Sequence, residues 1–272
     1  MKWMHLLFDV TIILILIIGI RQFRAPRGAR IGNLTAAFAI LCAFLLVLLR
    51  NDILSPGIVL TALLIGSVAG WMVAMKVNMT QIPAMVAFQH GAGGVAAFLV
   101  AFVELTGAGV LLATVNRVSG LLGLIIGSAT FSASMVASGK LGDKLKQTPT
   151  RLPAHGWFLS VNLLVIGVIC VSAWTPFGPF NPFFLVGVII LSAVLGVLFS
   201  IRIGGADMPV LISFLNATAG LAAAFCGIII QNRLLIACGA TVAASGSILT
   251  HVMCRAMNRD LFKIFVGVQQ KI

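Results

Sequence analysis

Nine apolar runs, each close to the ~20 residues a helix needs to cross a bilayer, leave this chain very few folds to choose from. They fall near 3–20, 31–49, 54–75, 81–103, 118–138, 157–174, 182–201, 208–230 and 233–254. The connections between them are mostly short, so neighbouring spans are expected to run antiparallel. No period-two alternation competes with this pattern. The chain is 60% hydrophobic and 9% charged, with a mean hydropathy of +1.14. A soluble domain carries about 25% charged residues and could not cover its surface with so few. The expected fold is therefore an all-α integral membrane protein: one transmembrane domain, 1–272, forming a polytopic bundle of about nine helices, with no room for a soluble catalytic domain.

The formal charge of +12 would suggest nucleic acid in a soluble protein. Here the basic residues sit in the loops between spans, so no nucleic-acid partner is expected. Alternating the loops from an outside N-terminus places 14 of the 18 Lys and Arg on one side, Arg21, Arg30, Lys76, Lys140, Arg202, Arg255 and Arg259 among them. The positive-inside rule makes that side cytoplasmic, which puts the N-terminus out and the C-terminus in. Trp3, Trp71, Trp157 and Trp174 fall near span ends, as an aromatic belt requires. The first span ends at Arg21 without a small-residue cleavage site, so it reads as a helix and not as a signal peptide. Cys42, Cys170, Cys226, Cys238 and Cys254 lie within apolar runs without metal-ligand spacing and read as packing residues.

One internal repeat stands out. QIPAMVAFQHGAGGVAA at 81–97 and DMPVLISFLNATAGLAA at 207–223 align at an offset of 126, matching Pro83 with Pro209, His90 with Asn216 and Gly94 with Gly220. Both segments follow loops of the same side, so the two helices are expected to run in the same direction. Parallel repeats of this kind place transport pathways at their mutual interface.

His90 lies about ten residues into its span, ~15 Å deep in a ~30 Å core, and Asn216 lies at the same depth. Lipid offers neither donor nor acceptor, so a polar group there needs a protein partner or a hydrated cavity. Histidine also changes charge near neutral pH, and ionisable groups at this depth mark pathways for ions or protons. The plainer reading is a neutral imidazole, or an amide, gluing helices together. Ser132, Ser134, Ser245, Ser247 and Thr250 could line a hydrated path or simply bond back to their own helices. Asp207 begins its helix two residues before Pro209, where a carboxylate suits the exposed N–H groups, and could also act as a gating charge. Asp9 and Glu104 fall toward outer helix ends, at the lipid interface. GAGG at 91–94 reads as close packing, and no arrangement for covalent chemistry or metal binding appears.

The stretches IGGADMPVLISFLNATAGLAAA, SGSILTHVMCRAMNRD, GSATFSASMVASGKLGDK and MTQIPAMVAFQH strongly resemble the beta-subunit membrane domain of proton-translocating NAD(P) transhydrogenases, and the resemblance runs essentially the length of the chain. It implies a machine that couples inward proton flow to hydride transfer from NADH to NADP+. In such a machine membrane helices conduct the proton while soluble partner domains bind NAD(H) and NADP(H), so this chain itself is expected to bind no cofactor. By resemblance, His90 is the membrane histidine of the proton path and Asn216 the polar residue beside it. Ser132, Ser245 and Ser247 are candidate path hydroxyls. Asp207, Arg255 and Arg259 lie where the NADP(H)-binding domain docks, as gating or coupling residues.

The implied partners are an NADP(H)-binding domain, an NAD-binding alpha subunit with its own membrane helices, and a second copy in a homodimeric complex in a bacterial inner membrane. No NADP(H)-binding domain is read within the 272 residues, and an excised domain or partners on separate chains both stay open. Asn78 and Gln81 stand where family members tend to carry acids. A stand-alone proton channel or secondary transporter, or a purely structural scaffold, remain the alternatives that the residues alone allow.

Overall fold

The structure is a computed structural model and describes residues 2–22, 28–50, 56–107, 113–150, 153–172 and 181–266. Arg24, Arg27, Arg151, Trp174 and Lys271 lie outside the described residues. Within the described residues the chain is helical without a strand, as the apolar runs predict. It divides into two compact units, 1–77 and 78–272.

The first unit holds α1 (Lys2–Gln22), α2 (Ala29–Arg50) and α3 (Pro56–Lys76). α1 packs on α2 through a close approach at Gly19, where a Cβ would lie 3.1 Å from the Ala36 nitrogen. The Thr35 hydroxyl reaches the Gln22 side-chain oxygen at 3.3 Å. Asp9, expected at the lipid interface, is instead buried.

The second unit holds α4 (Ile82–Gly107), α5 (Thr114–Leu141), α6 (His155–Ser172), α7 (Pro182–Ile201), α8 (Met208–Ile229), α9 (Arg233–Ala256) and the short α10 (Leu261–Val266). Among the described residues, seven helices are long and apolar enough to cross a membrane: α2, α3, α4, α5, α7, α8 and α9. α6 contributes a shorter apolar stretch, His155–Val171.

Helix α5 is the hub, packing against α4, α7 and α8. Small residues make these contacts possible, because in lipid, packing replaces the hydrophobic drive that joins helices in water. A Cβ on Gly94 would lie 2.6 Å from the Gly127 carbonyl oxygen, and one on Gly91 would lie 3.1 Å from the Ser134 Cβ. These pairs run in opposite sequence directions, so α4 and α5 are antiparallel. Thr130 donates to Thr218 at 2.9 Å, while Gly123 approaches Cys226, so α5 and α8 are antiparallel as well. Helices α4 and α8 are therefore parallel.

The repeat extends beyond the helices themselves. A three-residue 3-10 turn precedes each, Met79–Gln81 before α4 and Gly205–Asp207 before α8, and these too are 126 positions apart. Each repeat helix then packs on its successor through matching positions. Gly94 meets Gly127 in the first pair, and Gly220 meets Gly239 in the second, where a Cβ on Gly239 would lie 2.7 Å from the Gly220 oxygen. Gly91 faces Ser134 as Ala217 faces Gly246.

The end of the bundle where α8 begins is closed by α10. Phe265 stacks against Phe214 and Phe199, with ring centroids 4.7 and 5.1 Å apart, tying α10 to α8 and α7.

Candidate functional site

His90 and Asn216 are each the ninth residue of their helices, counted from Ile82 and Met208. Helices α4 and α8 pack together, and the Cys226 thiol donates to the Ala97 carbonyl at 3.0 Å. His90 lies seven residues before Ala97 and Asn216 ten before Cys226. At ~1.5 Å per residue the two are level to within about one helical turn.

Seven residues make almost two full turns, so His90 shares the flank of α4 that carries Ala97, whose Cβ lies against Gly127 of α5 and whose carbonyl accepts from Cys226 of α8. Asn216 falls roughly midway between the α9-facing residues Ser213, Ala217 and Gly220 and the α4-facing Cys226. Both side chains are half-buried. Neither forms a hydrogen bond within the described residues, so the imidazole and the amide keep their full capacity for water or another donor.

Hydroxyls gather around this level. Thr130 and Thr218 form their bond two residues past Asn216. One turn before Asn216, Ser213 lies 3.1 Å from Thr250, and both bond the Gly246 carbonyl, at 3.3 and 2.7 Å. The Ser134 hydroxyl is fully buried without a hydrogen-bond partner among the described residues, facing Gly91, the residue after His90.

Ser134 and Thr250, singled out from the sequence, thus lie at this level, whereas Ser132, Ser245 and Ser247 face other directions. Ser132 faces Gly196 of α7, on the opposite side of α5 from Ser134, and bonds the Ala129 carbonyl at 3.1 Å. Ser245 and Ser247 are exposed on α9 and bond back to Val242 and Ala243 of their own helix. Those bonds satisfy the hydroxyls locally, the commonest fate of Ser in a membrane helix.

The second group converges at the start of α8. The Arg259 Nε lies 3.2 Å from the Asp207 Oδ1, joining the two residues as an ion pair. The Asp207 side chain does not cap α8. Arg255 is exposed and, with His251, Asn258, Arg259 and Asp260, lines a polar hollow of about 520 Å3. The site thus resolves into two levels, an imidazole–amide level inside the bundle and a charged level at its end.

Residue spacing alone did not reveal Ser213, Thr130, Thr218 or Lys140. Ser213 and Thr218 flank Asn216 in the LISFLNATAG stretch, and that local polar density was the available signal. Lys140 gave no signal beyond its place near the end of a span.

This arrangement belongs to a multi-pass, membrane-embedded helical protein with two parallel helices that hold ionisable and polar groups at one depth. The family model described as NAD(P) transhydrogenase beta subunit matches residues 6–271, and the chain belongs to that family. It is 36% identical over 259 residues to the NAD(P) transhydrogenase subunit beta of Rhodospirillum rubrum, covering 92% of this chain and 55% of that protein. The same figures hold for the subunit of the same name from a strain of that bacterium. The chain thus spans about half the length of the curated relatives it matches.

Proposed function

We propose that this chain is the proton-translocating membrane component of an NAD(P) transhydrogenase. In this reading, proton flow through the bundle is coupled to hydride transfer from NADH to NADP+, carried out by soluble domains of the complex. The observation that supports it is the level pair of His90 and Asn216 on adjacent parallel helices, each half-buried and unbonded within the described residues.

His90 takes up a proton from one side and releases it to the other. Asn216, with one acceptor and two donors, can hold a water against either the neutral or the charged ring. The hydroxyls of Ser134, Thr130, Thr218, Ser213 and Thr250 supply neighbouring partners for water where lipid supplies none.

Coupling requires two states of the bundle that differ in affinity for the proton. Asp207, Arg255 and Arg259 sit where a docked domain could bias those states. The partners of this reading are an NADP(H)-binding domain and an NAD-binding alpha subunit, assembled as a homodimeric complex in a bacterial inner membrane. NAD(H) and NADP(H) are bound by those partners. The charged end, C-terminus included, faces the cytoplasm and the N-terminus faces out, in keeping with the segregation of basic residues.

The test is His90→Ala in the complete complex reconstituted into liposomes. Proton pumping linked to hydride transfer should disappear while nucleotide binding persists. Pumping at the unsubstituted rate would remove His90 from the path.

A further inference from the structure

Lys140, one residue before the end of α5, is 1% exposed, which is rare for a lysine. Its ammonium donates to the Ile201 carbonyl at 2.6 Å and to the Ile203 carbonyl at 2.8 Å. Ile201 is the last residue of α7, so the first bond takes up a carbonyl left free by the helix terminus. The cation also sits at the negative end of the α7 dipole. A buried ammonium costs a great deal unless such groups solvate it. Its retention therefore calls for a reason beyond ending a helix, which exposed backbone or a glycine could do.

The turn after Ile203 supplies that reason. Gly204, Gly205 and Ala206 lead within four residues to Asp207. The turn is clamped on its α5 side by three contacts. The Gly205 N–H donates to the Gln147 carbonyl at 2.9 Å, and the Thr150 N–H donates to Ile201 at 3.1 Å. A Cβ on Gly204 would lie 3.0 Å from Pro149, so the backbone of the turn is seated directly on that loop. At its far end Asp207 meets Arg259. Lys140 reaches both sides of the α7 exit from within α5, through the Ile201 and Ile203 carbonyls.

We propose that Lys140 is a positioning residue of the charged level: it fixes the 201–207 turn so that Asp207 is held against Arg259. This deepens the function proposed above and rests on it wherever activity is the readout.

Cys254 provides a native reporter that does not depend on proton transport. It is 2% exposed, precedes Arg255 and lines the polar hollow at this end. In membranes carrying the complete complex, N-ethylmaleimide labelling of Cys254 is followed by peptide mass. K140M should raise its labelling rate at least fivefold, and K140R should stay within twofold of the parent. D207N should raise labelling to a similar degree, and K140M/D207N no further than either single change, the signature of two residues acting as one unit.

Labelling in K140M within twofold of the parent while D207N is raised, or increases that multiply in the double variant, would overturn the proposal. If Cys254 stays protected in both single variants, proton-coupled hydride transfer is compared in the same four variants. Non-additive losses with rescue by K140R support the role, and multiplied losses end it. H90A should leave Cys254 at the parental rate. A complex in which H90A still pumps defeats the proton-path reading and leaves the Cys254 comparison standing.

Discussion

Gly94 and Gly127 meet backbone to backbone: a Cβ on the first would lie 2.6 Å from the carbonyl oxygen of the second, and one on the second 2.9 Å from the oxygen of the first. Nothing flexible lines either contact, so a methyl group cannot be absorbed by a rotamer change. Gly94→Ala should therefore separate α4 from α5, destabilising the bundle by about 1–3 kcal/mol, the usual range for overpacking. Thermal unfolding of the purified complex in detergent checks this. Gly57, with open space around its Cβ position, is the control: Gly57→Ala should leave the melting temperature in place.

Asn216 should tolerate a change of side-chain length better than the loss of its amide, because its proposed role is to hydrogen-bond water beside His90. Asn216→Leu keeps the γ-branched outline of the side chain and removes every hydrogen-bonding atom. Proton-coupled hydride transfer should fall more than tenfold, against a smaller loss in Asn216→Gln. Equal rates for Leu and Asn would show that the amide does not hold water for His90.

The Asp207–Arg259 pair is partly exposed, with side-chain exposures of 17% and 29% respectively. Solvent screening limits its contribution to roughly 1 kcal/mol or less. Asp207→Asn should accordingly shift the melting temperature by only a few degrees. Arg259→Gln should give the same small shift, and the double variant no more than either alone. A large, additive loss of stability would mean that each residue has other structural partners.

Ser245 and Ser247 are expected to be silent. Each hydroxyl is already bonded to its own helix, to Val242 and Ala243 respectively. Ser245→Ala and Ser247→Ala should keep proton-coupled rates within twofold, measured in inverted vesicles. A loss beyond tenfold in either would place a water path along the exposed face of α9.

Phe265 anchors α10 on Phe199 and Phe214. Phe265→Ala removes both ring contacts and should cost about 1–3 kcal/mol, less than for a fully enclosed ring because the side chain is half-buried. Limited proteolysis after Asn258 should accelerate in parallel. Unchanged cleavage would mean that α10 is held by other contacts.

The helical, membrane-embedded class was legible because twenty-residue apolar runs have so few alternatives in a bilayer. The level placement of His90 and Asn216 was legible for a different reason. The offset of 126 links Pro, polar and Gly positions together, and a helix converts equal spacing into equal height. What the sequence hid was direction around the helix axis. Ser132 and Ser134 are two residues apart, yet one faces α7 and the other α4. Nothing in SATFSASMV says which neighbour each will meet, since in lipid both faces of a fully enclosed helix are apolar. The same holds for Lys140. Near the end of a span a lysine normally snorkels to water, and only the folded α7 exit shows that this one turns inward. Arg259 was placed by family resemblance, and its partner emerged only when the loop after α9 came back over the start of α8.

The duplicated helix pairs set a limit on how the two halves of the repeat can move. α4 and α5 are locked by Gly94 on Gly127, and α8 and α9 by Gly220 on Gly239, whereas α4 and α8 share apolar side chains such as Ala101 and Ala222 beside the Cys226 thiol on the Ala97 carbonyl. Interfaces made of backbone pressed on backbone shear poorly. A seam of side chains, one of them a thiol, slides at lower cost. Any rocking within this unit should therefore carry each hairpin as a solid piece and concentrate displacement at the seam between the two repeat helices that carry His90 and Asn216.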